Sequence, residues 1–161
     1  FLITNTLASD LPEIKNIVIH KDLKTYDNVI FLDQKDEKIN IKNFKGNLVI
    51  LNFWATWCEP CKEEMPSLDR LQINPKLNNI KIFPINISKE NIEKVEFFFK
   101  DLDIKNFEPY FDAPITLAKT FSLRGVPTSI LLNKKGEEFA RIMGSINFDD
   151  VKFIDWLKLY N

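Results

Sequence analysis

Cys58 and Cys61 are the only cysteines in this chain of 161 residues, and Glu59 and Pro60 lie between them. At the start of a helix, this spacing puts both sulfurs on one face, close enough to bridge. Backbone N–H groups at a helix start have no helical partner and the dipole there is positive, so a thiolate is favoured. Pro60 suits that first turn, because its missing N–H would be unpaired anyway. The chemistry on offer is thiol–disulfide exchange. Cys58, nearer the helix start, is the expected attacking thiol. Cys61, more buried, is expected to resolve the mixed disulfide. A structural zinc site needs four ligands, whereas the chain has no second cysteine pair and its only histidine, His20, is far away in sequence. No metal and no cofactor are expected, and His20 reads as a solvated side chain.

The elements that must hold this pair are legible on both sides of it. Leu48 to Trp54 is a continuous apolar run, the pattern of a strand covered on both faces. From about Glu59 a helix is predicted with Met65, Leu68 and Leu71 inward, kinked at Pro66 and ended by Asn74-Pro75. Val29 to Leu32 and Ile39 to Ile41 flank a polar turn and predict a hairpin. Ile80 to Ile87 reads as a buried strand in which Pro84 implies a bulge or an edge-like stretch. Ser88-Lys89-Glu90-Asn91 opens a helix to about Asp103, with Ile92, Val95, Phe98, Phe99 and Leu102 at helical spacing. Of Phe97, Phe98 and Phe99, two are expected in the core. Pro114 to Phe121 predicts a short helix, and Thr128 to Leu132 pairs with Glu138 to Met143 across a turn. Asn147 is the expected cap of a last helix.

The segment Trp54-Ala-Thr-Trp-Cys-Glu-Pro-Cys-Lys-Glu-Glu-Met-Pro66 resembles the active-site segment of the thioredoxin superfamily. Within it, the likeness is to the TlpA/ResA-like branch of membrane-tethered thiol–disulfide oxidoreductases. A second landmark, Arg124-Gly-Val-Pro-Thr-Ser129, agrees, and the resemblance covers roughly residues 27 to 160. It implies an α/β thioredoxin fold, a central mixed sheet flanked by helices, with an N-terminal β-hairpin and a central strand–helix insertion. Residues 1–26 are then a linker or edge segment, and 27–161 the thioredoxin-like domain. The resemblance further implies a cis Val126–Pro127 bond in a loop that faces the dithiol, where backbone groups near Val126 pair with an extended substrate. Trp57 is expected to cap the dithiol and Trp54 to pack beneath it. Glu64 matches the family's active-site glutamate, a proton shuttle. Glu59 and Glu64 bring negative charge that disfavours a thiolate and makes the dithiol more reducing. Asn52 departs from the buried aspartate of many thioredoxins, which leaves proton handling to Glu64 or water.

A formal net charge of −1 carries no nucleic-acid footprint. No run of 18 or more apolar residues is present to span a bilayer. The chain opens on Phe1-Leu2-Ile3, read as the tail of an apolar signal or anchor. Tethering itself is implied by the resemblance, as are a periplasmic location, a membrane electron donor of the thiol-reducing type, and client protein disulfides. The clients implied are the haem-binding cysteines of apocytochrome c or copper-centre assembly proteins of respiratory oxidases, the latter favoured by Gly125-Val-Pro-Thr128. Two other activities are known on this fold. A Sco-like copper chaperone uses wider cysteine spacing and a distant histidine, and a thiol peroxidase uses a different segment before its reactive cysteine; this chain has neither pattern.

Overall fold

The computed structural model describes residues 12–88, 90–112, 114 and 116–161. The proposed signal or anchor remnant at Phe1 to Ile3 lies outside the described residues. Strands β1 (Ile17–Lys24), β2 (Ile30–Leu32), β3 (Lys38–Asn40), β4 (Leu48–Trp54), β5 (Ile80–Asn86), β6 (Tyr110–Phe111), β7 (Thr128–Leu132) and β8 (Glu138–Met143) form one sheet. Their order is β1-β8-β7-β4-β5-β6-β2-β3. β4 runs parallel to β5 and antiparallel to β7, so the sheet is mixed. Four α-helices complete the described chain: α1 (Glu59–Gln72), α2 (Ile92–Asp101), α3 (Leu117–Thr120) and α4 (Val151–Leu157). This is the thioredoxin fold, with the β2–β3 hairpin before the central strand and α2 as the insertion between β5 and β6.

β4 is central because all seven of its residues are buried, and the two-residue period of a strand sends them to opposite faces. Leu48, Ile50 and Trp54 join the core formed with α1, α2 and α4. Val49, Leu51 and Phe53 join a second core with β2, β6 and α3. Asn52 falls on the first face, beneath α1, which is how a polar residue reaches the middle of a core. Phe53 of β4 pairs with Thr128 of β7, so the strand leading to Cys58 ends beside the strand that follows Pro127.

Pro84 sits in register opposite Asn52 with no bulge. The reason lies on the other edge of β5, where β6 covers only Ile85 and Asn86. Along the uncovered stretch, the Gln72 side chain of α1 stands in for a strand: its amide donates to the Ile80 carbonyl (3.0 Å) and its oxygen accepts the Ile82 N–H (2.8 Å). Residue 84 shares that parity, so the donor that proline lacks would have faced the open side. α1 runs unbroken through Pro66, and the Ser67 hydroxyl donates to the Glu64 carbonyl (2.9 Å).

α2 begins at Asn91, whose side chain accepts the Lys94 N–H (2.8 Å). Phe98 and Phe99 are buried against Trp54, ring centroids 4.6 and 5.5 Å away, while Phe97 is exposed. α3 is shorter than expected, and Ala113 and Ile115 of that stretch lie outside the described residues. Its first N–H groups are taken by the buried Asp112 carboxylate. Two sequence expectations are corrected. The cap of α4 is Asp150, which accepts the Phe153 N–H (2.8 Å); Asn147 instead closes the turn before it by accepting the Asp149 N–H. His20 is not solvated, because β1 pairs with β8 and brings its ring to within 2.9 Å of the fully buried Glu138 carboxylate.

Candidate active site

β4 ends at Trp54, and the chain turns through Ala55 to Trp57 before α1 begins. Cys58 occupies the cap position in an extended conformation (φ −92°, ψ 104°). Its N–H donates to the Ala55 carbonyl (3.2 Å), its carbonyl accepts the Lys62 N–H (3.2 Å), and its sulfur accepts the Cys61 N–H (3.3 Å). Cys58 and Cys61 are joined as a disulfide, their Cα atoms 5.3 Å apart. Cys58 is 4% exposed and Cys61 0%, so the first sulfur is the one a partner can reach. A thiolate released at Cys58 would keep the Cys61 N–H and the positive end of the helix as its stabilisers. Glu59 and Pro60 are exposed at the rim of the site, and Trp57 stands out from it, 68% exposed.

The loop before Cys58 is clamped from α2's side of the sheet by a residue the sequence reading did not single out. Glu90 accepts the Thr56 N–H (2.9 Å) and the Asn86 amide (2.8 Å), pairs with Lys94 (3.1 Å), and receives the Thr56 hydroxyl in a short contact. Burial pushes the Glu90 carboxyl up, but these bonds outweigh it and hold the group below the usual carboxylate value. The Trp57 indole N–H donates to the Ser88 hydroxyl (3.2 Å), tying the loop to the same segment. An acidic residue just before a helix cap was the only local signal, and it reads equally as ordinary helix-start chemistry.

Glu64 lies three positions beyond Cys61, on the same side of α1. It is 2% exposed. One oxygen accepts the Asn52 amide (2.9 Å) and the other the Ile146 N–H (3.3 Å). The Asn52 amide also donates to the Ser129 hydroxyl (3.0 Å). Burial raises the Glu64 pKa to about 8, against the pull of the two hydrogen bonds. In the neutral range Glu64 is therefore mainly an uncharged acid. It is not the standing negative charge that its position in the sequence implies, because the core around it has no cation to keep it ionised. A hollow of about 350 Å³, lined by Glu63, Ser67, Arg70, Ser145 and Asn147, opens onto Glu64 and gives protons a way out.

The Val126–Pro127 bond is cis. Val126 packs partly buried against both cores, including the one that contains the two cysteines. The Pro127 carbonyl accepts the Gly144 N–H (2.9 Å), and the Thr128 hydroxyl donates to the Gly125 carbonyl (2.8 Å). Among the described residues nothing pairs with the N–H or carbonyl of Val126. His20 lies on β1, separated from β4 by β8 and β7, and takes no part in the site.

Comparison with known proteins agrees with this geometry. Residues 19–137 match the AhpC/TSA family. Thiol-disulfide oxidoreductase ResA of Bacillus thuringiensis subsp. konkukian is 36% identical over 117 residues, 73% of this chain. The chain spans 66% of that relative's own length, just under two thirds. The crystal structure of StoA from Bacillus subtilis superposes with a TM-score of 0.66 at 31% identity, covering 81% of this chain and 96% of that one. A secreted thiol-disulfide isomerase from Corynebacterium glutamicum, at 20% identity, shares the fold with a TM-score of 0.73 over 94% of this chain and 96% of its own. On the matched span the chain belongs to the AhpC/TSA family, and its joined cysteines at the mouth of α1 are in keeping with its similarity to the ResA-type thiol–disulfide oxidoreductases.

Proposed function

We propose that the protein reduces disulfides in client proteins outside the cytoplasm. The observation that carries this reading is the Cys58–Cys61 pair at the start of α1, with the first sulfur the more exposed. In the reduced protein, the Cys58 thiolate attacks one sulfur of the client disulfide and expels the other as a thiolate. The Cys61 thiolate then attacks Cys58, forming the intramolecular disulfide and releasing the second client thiol. Two electrons pass to the client, whose two sulfurs each gain a proton. Glu64, with a pKa of about 8, is close enough to the usual thiol value to take the Cys61 proton and pass it to the hollow beside it. Val126, with its backbone groups unpaired, offers an extended client segment a strand to add to. Trp57, Glu59 and Pro60 form the rim that such a segment crosses.

The direction follows from what surrounds the sulfurs. No histidine stands between the cysteines to stabilise a thiolate, and the buried group one helical turn beyond Cys61, Glu64, is a carboxyl that offers no positive charge in any protonation state. The dithiol should equilibrate nearer the roughly −270 mV of thioredoxin than the roughly −120 mV of DsbA. A value close to the latter, measured against a glutathione buffer, would reverse the direction. The clients we assign are apocytochrome c or proteins of oxidase copper-centre assembly, with electrons supplied by a membrane thiol reductant and the protein tethered to the membrane.

The test is a trapping assay. Reduced Cys61→Ser mixed with insulin should accumulate an adduct linked through Cys58, visible by mass spectrometry under non-reducing conditions. Cys58→Ser should give none and should not precipitate insulin chains. Reduction of insulin by Cys58→Ser would remove the assignment of roles.

A further inference from the structure

A cavity of about 580 Å³ lies on the side of the Val126–Pro127 loop nearer β1 and β8. We propose that it is a docking subsite for acidic residues of the client chain flanking its disulfide. This rests on the reductase reading above and adds to it a substrate class.

The charge of the walls carries the argument. The chain has 23 acidic and 22 basic residues, yet the cavity lining includes His20, Lys24, Arg124 and Arg141 and no carboxylate. Arg141 is already engaged. Its guanidinium donates to Glu138 (2.7 and 3.0 Å) and to the Phe121 carbonyl (2.8 Å). His20 faces the same Glu138, which is fully buried. Lys24 and Arg124 are different: both are exposed, and neither has an ion-pair partner among the described residues. Two unpaired cations at the mouth of a concave wall without acids raise the local concentration of negative groups.

Position decides which negative groups. Arg124 is on the loop that holds Val126, and Val126 and Pro127 themselves line the cavity. A client segment paired with the free Val126 backbone advances about 3.3 Å per residue. Residues flanking its cysteine are therefore carried from the Val126–Pro127 loop toward the cavity those two residues line. Val18 and Met143, 41% and 47% exposed, form an apolar shelf on the same wall. A Glu side chain, with its apolar stem and anionic end, matches a shelf edged by cations.

The experiment uses peptides with one cysteine disulfide-linked to 2-mercaptoethanol, flanked on both sides by Glu pairs, Gln pairs or Lys pairs. Single-turnover reduction by the full-length reduced protein is followed by chromatography. At low salt the Glu peptide should react about tenfold faster than the Lys peptide, and the gap should shrink in about 0.5 M salt. Lys24→Glu/Arg124→Glu should abolish or invert the order. Lys152→Glu/Lys158→Glu, an equal change of net charge elsewhere on the surface, should keep it. Equal rates for the three peptides with the unaltered protein, or an equal loss of preference in both double variants, would overturn the subsite. Failure to reduce even the Gln peptide would instead overturn the reductase reading beneath it.

Discussion

Glu64 is a carboxyl that folding forces to keep its proton. Its pKa moves from 4.5 to about 8 because burial between α1 and β4 removes water and supplies only two neutral donors. The folded protein then holds a proton that the unfolded chain has released. The stability that Glu64 contributes must therefore fall as pH rises from 4.5 to about 8, and this group adds no slope outside that window. The slope is about 1.4 kcal/mol per pH unit. Glu64→Gln should remove it, so the urea midpoints of variant and parent, both oxidised, diverge steadily across the window. Parallel curves would mean that Glu64 ionises in the core. The same variant should lose any rise in the rate of Cys61 attack near pH 8, since the group that exchanges that proton is gone.

At the level of elements, the dithiol is held by three pieces that meet: the end of β4, the start of α1 and the segment that opens α2. Glu90 is the knot between them, reaching back 34 residues in sequence to Thr56 while also holding the nearby Asn86. Its carboxyl lies below the usual value, so its contribution is present at neutral pH and is lost as pH falls through that lowered pKa. Glu90→Ala leaves the Thr56 N–H and the Asn86 amide without their acceptor. It should cost about 1–3 kcal/mol at neutral pH, less in acid, and it should speed amide exchange at Ala55 to Trp57. Unchanged exchange there would show that the loop is held by its other contacts alone. Gln72 plays the corresponding part for β5, pairing the open strand edge that Pro84 tolerates.

For the molecule as a whole, β1 is integral to the sheet. β1 covers the edge of β8, and Asn16 ties its start to the far end of β8 by accepting the Met143 N–H (3.0 Å) and donating to the Ser145 carbonyl (3.1 Å). Beneath it, Glu138 gathers His20 of β1, Tyr26 of the connecting loop and Arg141 of β8 around one fully buried carboxylate. Removing one partner of a buried charged pair strands the other. Glu138→Gln should destabilise the protein by about 3–5 kcal/mol and open Lys21 and Lys24 to trypsin, read by urea titration and by mapping the first cleavage. Retained resistance to trypsin would show that backbone pairing alone secures β1.

How much of this was legible beforehand depends on the range of the physics involved. The Cys58–Cys61 pair, the buried run of β4, the β7–β8 hairpin and the apolar face of α2 each declare themselves within about a dozen residues, because periodicity and turn chemistry are local. Glu64 was visible as a motif position, yet its protonation was not, since that depends on Asn52 and Ile146 arriving from other elements. Glu90, the fate of His20 and the cap of α4 were misread or missed for the same reason: a side chain with several possible local partners was claimed by a distant or neighbouring one. The basic cavity beside Pro127 arises where β1, β8 and the proline loop converge. The amino-acid order alone therefore determined which atoms could exchange electrons and which strand and helix would present them. Folding in three dimensions decided how those atoms handle protons and what they face, because burial and charge are properties of neighbours that only packing brings together.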